Sequence, residues 1–123
     1  MEQNQTMMAT QRELCYCPID AAVQTISGKW KIIILWKLRD KPMRFGELKR
    51  AVSGITEKML IQQLRELEQD EIICRQDFQE MPLRVEYSLT PQGRKLSPVF
   101  DALWQWGEDH IRHQRQEKLA QSS

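Results

Sequence analysis

Apolar residues in this chain recur at helical steps in some stretches and alternate like a strand in others. From Pro18 onward, Ile19, Ala22, Val23 and Ile26 recur at three- and four-residue steps, the spacing of one helix face. Proline suits a first helical position because its missing N–H would have no partner there, and Ser27-Gly28 supplies the stop. A second helix is predicted from about Lys29 to Arg39, with Trp30, Ile33, Ile34 and Leu38 on one side; Asp40-Lys41-Pro42 ends it. Met43-Arg44-Phe45 reads as a short extended piece. A brief third helix follows over about Phe45 to Val52, with Leu48 and Val52 inward. Ser53-Gly54-Ile55 makes a tight turn, and Thr56 is the N-cap of a fourth helix whose Leu60, Leu64 and Leu67 point one way.

The rhythm then changes to period two. Strands are predicted over about Ile73 to Gln79 and Arg84 to Thr90, where Val85, Tyr87 and Leu89 alternate with Arg84, Glu86 and Ser88; Pro82 marks the turn between them. Thr90-Pro91 opens a last helix, in which Ser97-Pro98 should kink or restart the chain. Leu96, Val99, Phe100, Leu103, Trp104, Gly107 and Ile111 form a broad apolar stripe along it. Two helices joined by a short Gly-containing turn, followed at once by a hairpin, spell a winged helix-turn-helix. The expected fold is mainly α (α+β), with a two-stranded β wing and with N- and C-terminal helices available for dimerisation. Residues 1–14 read as a polar arm, 15–113 as the domain, and 114–123 as a polar tail that frays.

Composition narrows the function. The 123 residues fit one domain, and no run approaches the ~18 apolar residues of a membrane span. The first ten residues lack the basic-then-apolar layout of a secretory signal, so the cytoplasm is the expected address, with no membrane partner. Three cysteines cannot all pair within one chain. The net charge of +1 is uninformative, but its distribution is not. Lys29 to Arg65 holds ten basic and three acidic residues, whereas Glu66 to Glu80 holds six acids against Arg75. Such a division suggests a directional field on the surface, although a solvated face of mixed charge has the same composition. No Gly-rich phosphate loop, Ser-His-Asp set or paired carboxylates suggest an enzyme. His110 and His113 alone are too few for a zinc site, so neither metal nor cofactor is expected.

Several short segments together resemble the HxlR-type winged-helix transcription regulators. They are Cys17-Pro18-Ile19, Ser27-Gly28-Lys29-Trp30, Arg44-Phe45-Gly46-Glu47-Leu48, Ile55-Thr56-Glu57-Lys58-Met59-Leu60, Leu64-Arg65-Glu66-Leu67 and Val85-Glu86-Tyr87-Ser88-Leu89-Thr90-Pro91-Gln92-Gly93. The resemblance spans roughly Cys17 to His110. It implies a homodimer built from the first and last helices, with two DNA-reading heads. It also implies that a cysteine just before the first helix senses electrophiles or oxidants in some members; Cys17 stands there, and Cys15, two residues earlier, could pair with it.

On this reading the fourth helix enters the major groove of double-stranded DNA, where N-terminal residues reach base edges. Those residues are Thr56, Glu57, Lys58 and Met59, with Gln62 and Gln63 one turn on. Arg44, Lys49 and Arg50 suit phosphate contacts, and Arg84 on the wing suits the neighbouring minor groove. The alternative for these cations is ordinary surface pairing with Glu47 or Glu86, and Lys29 and Lys31 could equally face solvent. The expected dimer interface is Ile19, Val23, Leu103, Trp104, Trp106 and Ile111. Its bland alternative is intrachain core, but the small head offers little area to cover so wide a stripe. Twofold symmetry would call for an inverted-repeat operator. Repression is the default sign, since a compact dimer on a promoter obstructs polymerase. A small-molecule or oxidant effector would act through Cys17, whose own alternative role is an unreactive side chain near the seam. The functional alternative is a winged helix used for protein–protein contacts.

Overall fold

A computed structural model describes residues 17–122. In chain order it contains α1 (Pro18–Ile26), α2 (Lys31–Leu38), β1 (Met43–Arg44), α3 (Phe45–Ala51), α4 (Glu57–Gln69), β2 (Ile73–Asp77), β3 (Val85–Leu89), α5 (Pro91–Arg94) and α6 (Ser97–Ser122). The predicted order of elements is present, with one addition to the wing. Met43–Arg44 joins the hairpin as a third strand, in the order β1-β3-β2, so the sheet is not two-stranded. Met43 lies opposite Tyr87 and Arg44 opposite Glu86, while β2 runs antiparallel along the other side of β3 from Ile73–Leu89 to Asp77–Val85. β2 ends before Gln79, which takes a left-handed φ of 55° and donates its N–H to Asp77 Oδ1 at 2.8 Å.

The core lies between α2, α3, α4 and the sheet. Ile34, Leu35, Leu48, Leu60 and Leu67 are fully buried, and Val52, Ile55, Leu64, Ile72, Ile73, Leu89 and Phe100 close around them. The inward face of α2 is rotated from the predicted one. Leu35 is buried, whereas Trp30 and Ile33 only flank the core. In Ile32 to Trp36 every residue is apolar, so periodicity there cannot pick a face. Lys31 is a second departure, being buried rather than solvent-facing.

The helix-turn-helix is set by two local devices. Gly54 adopts φ 87°, a conformation that side chains resist, and the Trp30 ring approaches to about 4.0 Å of where a Cβ would sit. Thr56 then caps α4, its hydroxyl accepting the Met59 N–H at 3.1 Å.

A second corner joins the sheet to the last helices. The Thr90 N–H donates to the Ile72 carbonyl at 3.0 Å. Its hydroxyl accepts the Gly93 N–H at 3.0 Å and lies 2.7 Å and 3.0 Å from the carbonyl oxygens of Glu71 and Ile72. Beyond it the expected break near Ser97-Pro98 takes the form of a turn at Lys95-Leu96, with Pro98 in the first turn of α6 where it costs no hydrogen bond. α6 continues as a helix past Gln114 to Ser122. Gln, Arg, Glu, Lys, Leu and Ala there are good helix formers, and His113 Nε2 lies 3.3 Å from Glu117 Oε1 one turn on.

Candidate nucleic-acid interface

Helix α4 has two faces of different kinds. Leu60, Leu64 and Leu67 seat it on the core, at 0 to 2% exposure. Opposite them, Glu57, Lys58, Ile61, Gln62 and Arg65 line one shallow surface depression. Thr56, Glu57, Lys58, Gln62 and Arg65 are exposed, so no described part of the chain covers the leading end of the helix. Two predicted reading residues turn away from it. Met59 and Gln63 are half-buried, Met59 packs against the core, and Gln63 Nε2 donates to Met59 Sδ at 3.5 Å. Arg65 takes their place. Its signal was present in the spacing, since it falls three and four residues after Gln62 and Ile61.

The cations on and around α3 and α4 differ in partners from Arg84 on the wing. Among the described residues, no ion pair engages Arg44, Lys49, Arg50, Lys58 or Arg65. All five belong to the two helices of the helix-turn-helix or to the residue that starts the first of them, and all are exposed. Glu47, the predicted competitor for Arg44, instead accepts the Arg44 backbone N–H at 2.9 Å and so caps α3. Arg84 is engaged at home. Its guanidinium lies 4.0 Å from the Phe78 ring centre, Nη1 is 3.7 Å from Glu80, and Nε is 3.3 Å from Glu86 but misaligned for a hydrogen bond. Entry of Arg84 into a minor groove would need these contacts released. The wing instead exposes Met81 and Leu83 at its tip.

The six residues expected at a subunit seam are all on the surface. Ile19 is 71% exposed, Trp106 66%, and Val23, Leu103, Trp104 and Ile111 each about half. Helix α1 has no buried residue at all. The Trp104 ring stacks on Trp36, with centroids 5.3 Å apart and planes at 16°. Beside it, Ile32, Ile33, Phe100 and Leu103 complete an apolar groove of about 200 Å³.

Cys17 is exposed at the N-cap of α1, where its carbonyl accepts the Ala21 N–H at 3.0 Å. Cys15 lies outside the described residues. Cys74 is exposed on β2, with Sγ 3.1 Å from Ser88 Oγ across the strands. His110 stacks on Trp106, and among the described residues no group of three or more metal-type side chains comes together. Nor, among the same residues, is any helix long and apolar enough to cross a membrane.

A capped, uncovered helix carrying unpaired cations behind a helix-turn-helix corner, with a small antiparallel wing, defines a winged helix-turn-helix DNA-binding protein. Comparison with known proteins makes the class specific. Residues 25–115 match the family model described as HxlR-like helix-turn-helix. The HTH-type transcriptional regulator YdzF of Bacillus subtilis is 48% identical over 91 residues, covering 73% of this chain and 84% of that one. The redox regulator HypR in its reduced form superposes with a TM-score of 0.76 at 39% identity, covering 81% of this chain and 99% of the other. The reduced form of the B. subtilis regulator YodB gives 0.68 at 38% identity, with coverage of 75% and 91%. The chain belongs to the HxlR-like helix-turn-helix family and is a transcriptional regulator rather than an enzyme.

Proposed function

We propose that the protein is a cytoplasmic repressor that binds an inverted-repeat operator as a homodimer, α4 of each protomer reading one half-site. The observation that carries this reading is the set of five exposed, unpaired cations on and around α3 and α4. Cations without intramolecular partners are free to meet phosphates, and the depression from Glu57 to Arg65 offers side chains to base edges. Gln62 suits adenine and Lys58 suits guanine or a phosphate. The exposed apolar residues of α1 and of α6 support a second copy as the partner, because so much apolar surface is costly to leave in water.

Footprinting on DNA upstream of the protein's own coding region tests the reading. Binding should favour a particular fragment and weaken steeply as salt rises. Gln62→Ala should relax base preference at one position per half-site, and Lys58→Ala should weaken binding by about ten- to a hundredfold per dimer. Equal binding to all fragments with a flat salt response would reject DNA as the target and favour protein contacts instead.

Cys17 is proposed as the point where an oxidant or electrophile acts. It is exposed, and it begins a helix that meets the intrachain core only through half-buried residues such as Ile26 and carries seam candidates Ile19 and Val23, so a change there lies close to the proposed seam. Two structural neighbours support this: one is described as a redox regulator, and the other was solved after diamide treatment. Cys17→Ser should retain basal operator binding and lose the response to a thiol oxidant, measured by fluorescence anisotropy. An oxidant response that survives the substitution would remove Cys17 from the scheme.

A further inference from the structure

Lys31 is the one charged side chain buried among the described residues, at 7% exposure. Its place is unfavourable twice over. An ammonium loses hydration there, and it opens α2, where free backbone N–H groups already carry partial positive charge. Glu66 offsets both, with Oε1 3.1 Å from Lys31 Nζ. Glu66 lies on α4 beside the reading face, next in sequence to Arg65. Among the described residues, this is the only side-chain hydrogen bond or ion pair joining α4 to another element.

That isolation matters because the rest of the attachment is apolar. Packing of Leu60, Leu64 and Leu67 holds α4 down, but burial is non-directional and tolerates small rotations. The Lys31–Glu66 pair adds a directional tie, because a shift of α4 that parts it leaves a buried ammonium without its partner. The other end of α2 is tied to α6, where Trp36 stacks on Trp104 and meets Phe100 edge-on at 6.2 Å. Trp104 belongs to the proposed seam. Helix α2 therefore spans the distance from seam to reading helix, with one tie at Lys31 and another at Trp36.

We infer that Lys31 is a positioning residue for DNA recognition: through Glu66 it fixes the angle of α4 on α2, and so the separation of the two reading helices. The inference rests on the homodimer reading above, and Lys31 itself touches no DNA.

The test is a spacing series. Inverted repeats of the footprinted half-site are made with separations varied one base pair at a time, and anisotropy is measured with the full chain. Lys31→Met keeps the side-chain stem and removes the charge, Glu66→Gln keeps the shape, and Lys31→Arg restores a cation. The first two should lose from a few-fold to about thirtyfold at the preferred spacing and less at neighbouring ones, flattening the profile. Lys31→Arg should regain the peak. A uniform loss at every spacing, or no loss, overturns the inference, since mere destabilisation lowers the active fraction without changing the profile's shape. Should Lys31→Met not fold by circular dichroism, the Glu66→Gln profile decides alone. If the unsubstituted protein shows no peak, the inverted-repeat reading itself falls; a peak that every variant keeps sinks only the role of Lys31.

Discussion

Aspartate at both Ile19 and Val23 should give a folded monomer whose affinity for an inverted-repeat operator is lower by about 10²–10⁴. The size of the effect comes from linkage. In a dimer the second head meets its half-site at a high effective concentration, and a monomer forfeits that gain entirely. The sites are chosen because neither belongs to the core or packs against it. Ile19 and Val23 are 71% and 54% exposed on a helix with no fully buried residue, so charge there should leave the head intact. At a desolvated seam the same carboxylates would be buried without partners, a large penalty. Trp104 is a poorer target, since its ring also stacks on Trp36. Light scattering gives the mass, circular dichroism the fold, and anisotropy the affinity. A double variant that still runs as a dimer would move the seam elsewhere.

Gly93→Ala should destabilise the chain by about 3 kcal/mol or more, lowering its melting temperature by roughly 10 °C or preventing folding. Gly93 sits under the Thr90 corner, and a Cβ there would overlap the Ile72 carbonyl oxygen. That oxygen cannot retreat cheaply. It accepts the Thr90 N–H at 3.0 Å and lies 3.0 Å from the Thr90 hydroxyl, which also receives the Gly93 N–H. Relief of the overlap would break the junction between β2, β3 and the last helices. The residue is buried but has no exceptional φ, so the penalty comes from crowding rather than from backbone strain. Thermal denaturation measures it, and a loss under about 1 kcal/mol would show that the corner can yield.

The fold was legible wherever a local signal had one meaning. The Thr56 cap, the Gly54 turn, the break before Ser97-Pro98 and the strand over Val85–Leu89 are each present, although burial along β3 does not alternate. What escaped depends on tertiary neighbours. The apolar stretch from Ile32 to Trp36 hides which side faces in, so Leu35 was missed and Trp30 overrated. Burial of Lys31 follows from where Glu66 stands, 35 residues away in sequence. Met43–Arg44 reads as a short extended piece, but its joining the sheet depends on the edge that β3 offers it. At the candidate site the exposed positions of α4 are legible from the spacing of the leucines they oppose. Met59, near the helix start, and Gln63, one turn on, are half-buried beside the core, which position along the helix alone does not reveal. Arg84 could be placed on the wing, but its capture by Phe78, Glu80 and Glu86 is a matter of three-dimensional company.

The division of α4 into a leucine side and a surface side has an evolutionary consequence. Residues that secure the helix and residues that would choose its target are different residues. Exchanging the exposed side chains at 57, 58, 62 and 65 alters little that the fold depends on. A gene duplicate could therefore acquire a new set of promoters through a handful of substitutions, each nearly neutral for folding. One robust scaffold could in this way diversify into many regulators within a single genome.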